Sequence, residues 1–437
     1  MKMVAYGSPE ANPWLDRQPA FDSALTTGVS KLLAEVKSDG ESAVLRHSRD
    51  FDAPGLESVW VSKEELESAQ VPDEQLDAIR FSIERVRDFH ETQLGVVTHD
   101  WEKLDFGYGW RTDATEVDDT GFEGQRMLPV ASVGIYVPGG QASYPSSVIM
   151  NVVPAQVAGV QRIVVATPAS QDGRIADAVL VACRELGITE ILKAGGASAI
   201  GALAFGWPGF DRVDKIAGPG NKYVSEAKRQ LWGTVGLDSF AGPSEVAVYV
   251  DETSQTKLAA LDLLAQVEHA PDNVGVLIAT SRMVADRILG DVSYLLRDHP
   301  REDVMRTALE RHGVCLLVEN DDQAVEAINR IAPEHLSLHN ERATEVAMSV
   351  VNCGCVLIGP MTAQSCGDFV SGPSHTLPTS GAARFDSPVN VQTFLKFQSI
   401  SMFTREDAEY LAETVGVFAT MEGLPMHGHC ATGRIEE

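Results

Sequence analysis

The strongest constraint on this chain is a pattern that occurs twice: short β-branched runs separated by spacers long enough for a helix. The first series is SVGIYV (132–137), RIVVATP (162–168) and EILKAG (190–195). The second is EVAVYV (245–250), VGVLIAT (274–280), GVCLLVEN (313–320) and CGCVLIGP (353–360). Apolar runs of this length suit strands buried on both faces, the environment of a parallel sheet covered by helices. The pattern predicts an α/β fold with two Rossmann-like modules. Sliding the first series by 113 residues superimposes Val133, Tyr136 and Val137 on Val246, Tyr249 and Val250, and Ala166-Thr167 on Ala279-Thr280. One register serving two strands predicts that the modules are related by duplication.

A chain of 437 residues is also long for one hydrophobic core, so two or more domains are expected. A net charge of −27 argues against a nucleic-acid partner, because phosphates demand a basic face. No apolar run reaches the roughly 18 residues of a membrane span. Six cysteines without a C-x-x-C pair, and no secretory signal, predict reduced thiols in a cytoplasmic protein.

The flanks read differently. Residues 22–37 place Leu25, Val29, Leu32, Leu33 and Val36 on one helical face, and a longer helix from Asp73 places Ile79, Ile83, Val86 and Phe89 together. Between 98 and 125, Gly107, Gly109, Asp118, Asp119 and Gly121 suggest strands and turns. The last segment carries helix-like stretches at 390–398 and 405–420 and a His-rich tail, with too few apolar residues to stand as a domain.

Residues 218–245 join the two series. Asn221 is placed to cap a helix bearing Val224, Ala227 and Leu231, Gly233 to end it, and Gly242-Pro243 to deliver Ser244 to the next strand. Two glycine turns this close could cradle an anion, but Gly218-Pro-Gly220 lacks the third glycine of a dinucleotide fingerprint. The stretch reads instead as the joint between modules. Gly139-Gly140 and Gly195-Gly196 follow predicted strands, where open α/β sheets bind ligands.

Ionisable residues carry more chemistry. Gln266 and His269 stand three apart on a predicted helix and can converge on one metal. Asp368 follows a strand at a predicted sheet edge, with His375 seven residues on, and His427 and His429 follow Glu422 near the end. Such ligands without thiolates resemble a catalytic zinc site. Glu334-His335 follows a proline that could open a helical turn, setting the two side chains about 100° apart. A histidine suits removal of an alcohol proton and a carboxylate activation of water. The same residue types would also serve a zinc hydrolase, which predicts redox-neutral turnover, or a binding protein without catalysis.

At this point the chain resembles the histidinol dehydrogenase family, through VGIYVPGG, YPSSVIMN, VDKIAGPGNKYVSEAKRQ, AGPSEV, QVEH, PEHL, GDFVSGPSHTLPT, ARF, FLK and EGLPMH in order, from about 22 to 434. The resemblance implies zinc held by Gln266, His269, Asp368 and a partner-derived His427, catalysis by Glu334 and His335, and substrate contacts at Ser244, Gln266, His269, His335, Asp368, His375, Glu422 and His427. It implies NAD near Tyr136, Ser198 and Asn221. It implies oxidation of L-histidinol through the aldehyde to L-histidine, in a homodimer with shared active sites. The implied organisation is an N-terminal segment (1–29), a larger zinc and substrate domain (30–135 and 244–388), an NAD-side domain (136–243) and a C-terminal helical tail (389–437) reaching the partner. Two departures stand out: Ser198 replaces a glutamine common in relatives, and His429 adds a second candidate ligand beside His427. The alternative within the fold is a zinc- and NAD-dependent dehydrogenase of another primary alcohol, such as a sulfonated diol.

Overall fold

The apolar runs become parallel strands in the computed structural model, which describes residues 1–16, 22–104, 107–117, 120–139, 143–239 and 242–436. Asp118, Asp119 and Gly140, singled out above, lie outside the described residues. In chain order the strands are β1 (Lys2–Ala5), β2 (Glu102–Leu104), β3 (Gly107–Asp113), β4 (Phe122–Pro129), β5 (Ser132–Tyr136), β6 (Arg162–Thr167), β7 (Glu190–Lys193) and β8 (Lys215–Ala217). They continue with β9 (Gly236–Leu237), β10 (Glu245–Val250), β11 (Val274–Ala279), β12 (Gly313–Leu317), β13 (His335–Leu338), β14 (Cys355–Ile358) and β15 (Leu395–Met402). The chain forms two compact units, one of residues 1–91 and 131–393, the other of 92–130 and 394–437.

The first unit holds both parallel sheets. One has the order β7-β6-β5-β8-β9, the other β1-β12-β11-β10-β13-β14. Matching β5–β9 in turn with β10–β14 makes the two orders identical, with β1 added at an edge. This shared topology supports the duplicated α/β architecture. The single register does not survive: Tyr136 pairs with Ala166, whereas Tyr249 pairs with Ile278. The ladder equivalent of Ala166 is therefore Ile278, one residue before Ala279, and the matching Ala-Thr letters reflect the common composition of buried strands. Strand β1 was not legible, being four residues without a partner run nearby. It pairs in parallel with β12, from Lys2 opposite Val314 to Ala5 opposite Leu317.

Helices cover the sheets as the periodicity requires. The helix Ser23–Asp39 is capped by Asp22, which accepts the Ala24 N–H at 2.8 Å, and it buries Val29, Leu33 and Val36. These join Tyr136, Val164 and Ile200 in one core. The helix Asp73–Val97 buries Ile79 and Val86, but Phe89 is exposed and His90 takes the inner position, its Nδ1 2.8 Å from the Val86 carbonyl. The six-stranded sheet is packed on both faces, with Ala247, Tyr249 and Ile278 on one and Val246, Val248 and Leu277 on the other.

The joint behaves locally as predicted. Asn221 accepts the N–H groups of Tyr223 and Val224, the helix Lys222–Leu231 buries Val224, Ala227 and Leu231, and Gly233 follows at φ 89°. Gly218 has φ 117°, and a Cβ there would lie 2.1 Å from the Tyr136 carbonyl oxygen, so only glycine fits. Its two polar groups are already paired: Asp238 Oδ2 accepts its N–H at 2.8 Å, and Lys228 Nζ donates to its carbonyl at 2.6 Å. Lys228 and Asp238 form an ion pair of 2.6 Å at 1% and 2% exposure. With a carboxylate on its N–H, Gly218 offers no donor to an anion.

The second unit contains an antiparallel sheet of order β15-β4-β3-β2. Residues 395–398 are strand rather than the helix predicted over 390–398, which survives only as a 3₁₀ turn at Val391–Phe394. All eight residues of β15 pair with β4, a long-range ladder that overrides local periodicity. The helix Arg405–Met421 forms as expected, with Thr404 and Asp407 in a reciprocal capping box. Among the described residues no helix is long and apolar enough to cross a membrane. All six cysteines are free.

Candidate functional site

The second parallel sheet gathers most of the marked residues at the amino ends of its strands. Glu334 and His335 open β13 instead of a helical turn, because the β-sheet neighbours Val246 and Cys355 pair with His335 on either side. Gly354 makes room for this entry, since a Cβ there would stand 2.6 Å from the Glu334 carbonyl oxygen. Ser244, half-buried, immediately precedes β10. The next residue, Glu245, donates its backbone N–H to Glu334 Oε2 at 2.7 Å.

His335 is buried, and its ring nitrogens are uncommitted among the described residues. Nδ1 lies 3.7 Å from Glu334 Oε2 and Nε2 lies 3.8 Å from Asp368 Oδ1, beyond hydrogen-bond distance. Burial by itself would depress the His335 pKa, but the charges of Glu334 and Asp368 outweigh it and hold the imidazole above its usual value. Burial likewise raises the Glu334 carboxyl, with His335 opposing it. Asp368 lies on the short helix Gln364–Phe369 that follows β14, not at the sheet edge itself.

Gln266 is in the last turn of the helix Thr256–Val267, while His269 is two residues past its end and exposed. The expected helical spacing of this pair is therefore not realised. Asn273 Nδ2 holds the Gln266 carbonyl at 2.9 Å, and Arg301 holds that of His269 at 3.3 Å. His269 is near enough to act electrostatically on Glu334 and His375. Nδ1 of His375 sits 2.8 Å from the Asp368 carbonyl, which can only accept, so this nitrogen carries the proton. Its Nε2 then accepts from Ser147 Oγ at 3.2 Å, and desolvation lowers its pKa.

Two residues that sequence reasoning missed organise this cluster. Gln364 is fully buried and its Nε2 donates to Gln266 Oε1 at 2.7 Å and to Asp368 Oδ2 at 3.0 Å. Asp262 Oδ1 accepts the Gln364 backbone N–H at 3.1 Å, and its Oδ2 meets Ser337 Oγ at 2.5 Å and His339 Nε2 at 2.9 Å. Asp262 thus ties together the three elements that carry Gln266, His335 and Asp368. Each missed residue precedes an expected ligand by four positions on a helix, a spacing that puts both on one face.

Among the described residues no three His, Cys, Asp or Glu side chains group as a metal site. The donor chemistry nevertheless fits a cation. Gln266 Oε1 and Asp368 Oδ2 converge on one amide nitrogen, a point that attracts positive charge, and His269 and His335 stand nearby. Glu422 and His427 belong to the other unit, both exposed, at the end of the helix Arg405–Met421 and in the helix Pro425–Thr432. His429 is exposed in the same helix.

The first sheet places its marked residues at the carboxyl ends of its strands. Tyr136 is buried at the end of β5, and its hydroxyl accepts the Gly196 N–H at 3.2 Å. Burial pushes that hydroxyl's pKa up to about 12. Ser198, buried in the first turn of the helix Gly196–Phe205, has its Oγ 3.2 Å from His47 Nδ1, and His47 Nε2 meets Glu35 at 2.9 Å. Asn221 is exposed, its side-chain oxygen spent on capping.

Comparison with known proteins bears on these placements. The family model described as histidinol dehydrogenase matches residues 15–435. Histidinol dehydrogenase of a Synechococcus species is 42% identical over 403 residues, covering 91% of this chain and 89% of that protein. The Bacillus subtilis protein of the same description is 40% identical, covering 93% and 92%. The crystal structure of histidinol dehydrogenase from Elizabethkingia anophelis superposes with a TM-score of 0.89 at 31% identity, covering 100% of this chain and 98% of that one.

Proposed function

The chain belongs to the histidinol dehydrogenase family, and from that premise we propose that it oxidises L-histidinol through L-histidinaldehyde to L-histidine, the last step of histidine biosynthesis. The convergence of Glu334, His335, Asp368 and Gln266 from segments distant in sequence is the observation that supports this reading most directly. His335, its ring nitrogens uncommitted among the described residues, takes the alcohol proton and later a hydrate proton. Glu334 activates the water that hydrates the aldehyde, and its burial suits it to accept a proton. The hydride leaving the substrate carbon in each oxidation would pass to NAD, the acceptor chemistry that cofactor would supply when bound.

Gln266, His269, Asp368 and His427 of the partner subunit are assigned to zinc, which when bound would fix the substrate's amine and imidazole nitrogens. Ser244, His375 and Glu422 are assigned to substrate, and Tyr136, Ser198 and Asn221 to the cofactor. In domain terms, 136–243 is the NAD side and 244–388 the zinc and substrate side; of the stretch 30–135 expected with the latter, the helices through Phe51 share the core of Tyr136 and go with the NAD side. The tail from 389 is assigned to a homodimer interface, a reading supported by apolar side chains left open there, such as Phe418 at 55% and Met421 at 67% exposure. The free thiols suit a cytoplasmic enzyme. The relatives described above are histidinol dehydrogenases, which does not favour the sulfonated-diol alternative. Zinc-loaded protein given L-histidinol and NAD is expected to form about two NADH per substrate consumed. Absence of NADH above background would sink the proposal.

A further inference from the structure

The carboxyl edge of the five-stranded sheet holds a charged group that none of the roles above employs. Asp52 follows the helix Glu41–Phe51 and is half-buried against Gly195, where an added Cβ would stand 2.9 Å from Asp52 Oδ2. Desolvation pushes its pKa up to about 6, and no group among the described residues donates a hydrogen bond to its side chain. Its charge reaches the Tyr136 hydroxyl. A half-desolvated carboxylate that no described group pairs gains from an incoming donor.

The surroundings specify which donor. The glycine turns at this edge would ordinarily offer N–H groups to phosphate. Here the Gly196 N–H goes to Tyr136, the Gly218 N–H goes to Asp238, and Asp52 lies on Gly195. The Asp238 charge is balanced by Lys228, which leaves Asp52 as the carboxylate without a described partner at this edge, and its charge favours neutral hydroxyl donors over an anion beside it. A vicinal diol presents two such donors to one carboxylate, the arrangement by which acidic residues read a ribose. We propose that Asp52 binds a ribose diol of NAD and rejects the 2′-phosphate of NADP. The proposal rests on the reading that the Tyr136 edge is the cofactor side.

The test compares the parent enzyme with Asp52→Asn and Asp52→Ala, by steady-state kinetics with both cofactors and by calorimetric NAD binding without substrate. In Asp52→Ala the KM and Kd for NAD should rise roughly 10- to 100-fold, as for loss of charge-assisted hydrogen bonds. Asp52→Asn should fall between it and the parent. The preference for NAD over NADP should narrow, while kcat at saturating NAD and KM for L-histidinol hold. Cofactor-free Asp52→Asn should melt no lower than the parent, since a desolvated charge is removed. Equal NAD binding and an unchanged NADP ratio in both variants overturn the proposal, as does a lowered Tm with unchanged NAD affinity. A parent that binds NAD more tightly than Asp52→Ala yet fails to oxidise L-histidinol would undo the functional reading and leave this one standing. A parent that binds no NAD undoes both.

Discussion

The two modules share a strand order yet present their marked residues at opposite ends of their strands. In the five-stranded sheet these residues follow the strands: Tyr136 closes β5, Gly195 comes after β7 and Gly218 after β8. In the six-stranded sheet they precede them: Ser244 comes before β10, Glu334 and His335 open β13, and His269 lies ahead of β11. The usual rule, that open α/β sheets bind at their carboxyl ends, describes only the first. The helix Thr256–Val267 explains the second, because it leaves the carboxyl end of β10 and returns Gln266 to the amino end of β11. One edge is built from glycine turns that admit close approach, the other from buried ionisable groups that shift one another.

The sharpest way to break this comparison is His335→Ala. Oxidation should fall roughly 10²- to 10⁴-fold, the usual contribution of a positioned base, while zinc content by metal analysis and NAD affinity stay near the parent's. Retained activity would move the chemistry away from the amino edge. A smaller effect is expected from Gln364→Met, which removes the amide shared by Gln266 and Asp368 but keeps side-chain length. Chelator competition on the metal-free protein should show zinc affinity lowered roughly 10- to 100-fold, with NAD binding at the other edge untouched. Unaltered zinc affinity would reduce Gln364 to packing. The smallest effect is a displacement along the pH axis. The base works deprotonated, so the rising limb of kcat/KM follows the His335 pKa, which Glu334 and Asp368 hold above the ordinary imidazole value. Glu334→Gln removes one of those charges and should move the limb to lower pH, on top of slowing the second oxidation. A limb that stays in place would uncouple the pair.

Much of the fold was legible because buried parallel strands write themselves as uninterrupted β-branched runs. Strands β5, β6, β7, β10, β11, β12 and β14 were visible in that way, as was the capped helix after Asn221. What escaped depends on distant partners. Strand β1 exists because β12 offers an edge, and β15 because β4 pairs with all eight of its residues. In the site, Glu334-His335 was visible as chemistry but not as a strand entry, since the proline before it fits either. Gln364 and Asp262 are neutral or ordinary by residue type, and their roles appear only when three chain segments meet. Asp52 was invisible for a related reason. An aspartate after a helix reads as a fully solvated residue until the glycine packed against it is seen to half-bury it.

The one-residue slip between the two ladders has a practical side. Ala166 and Ala279 look like counterparts, yet Ala166 shares a core with Tyr136 and Val29, whereas Ala279 packs with Val284 and Leu309, on the side of its sheet away from Tyr249. Anyone transplanting segments between the halves, or building an ancestral half-sized protein from their consensus, would turn that strand inside out by trusting the letters. The spatial order of the strands is the more faithful ruler for such a graft.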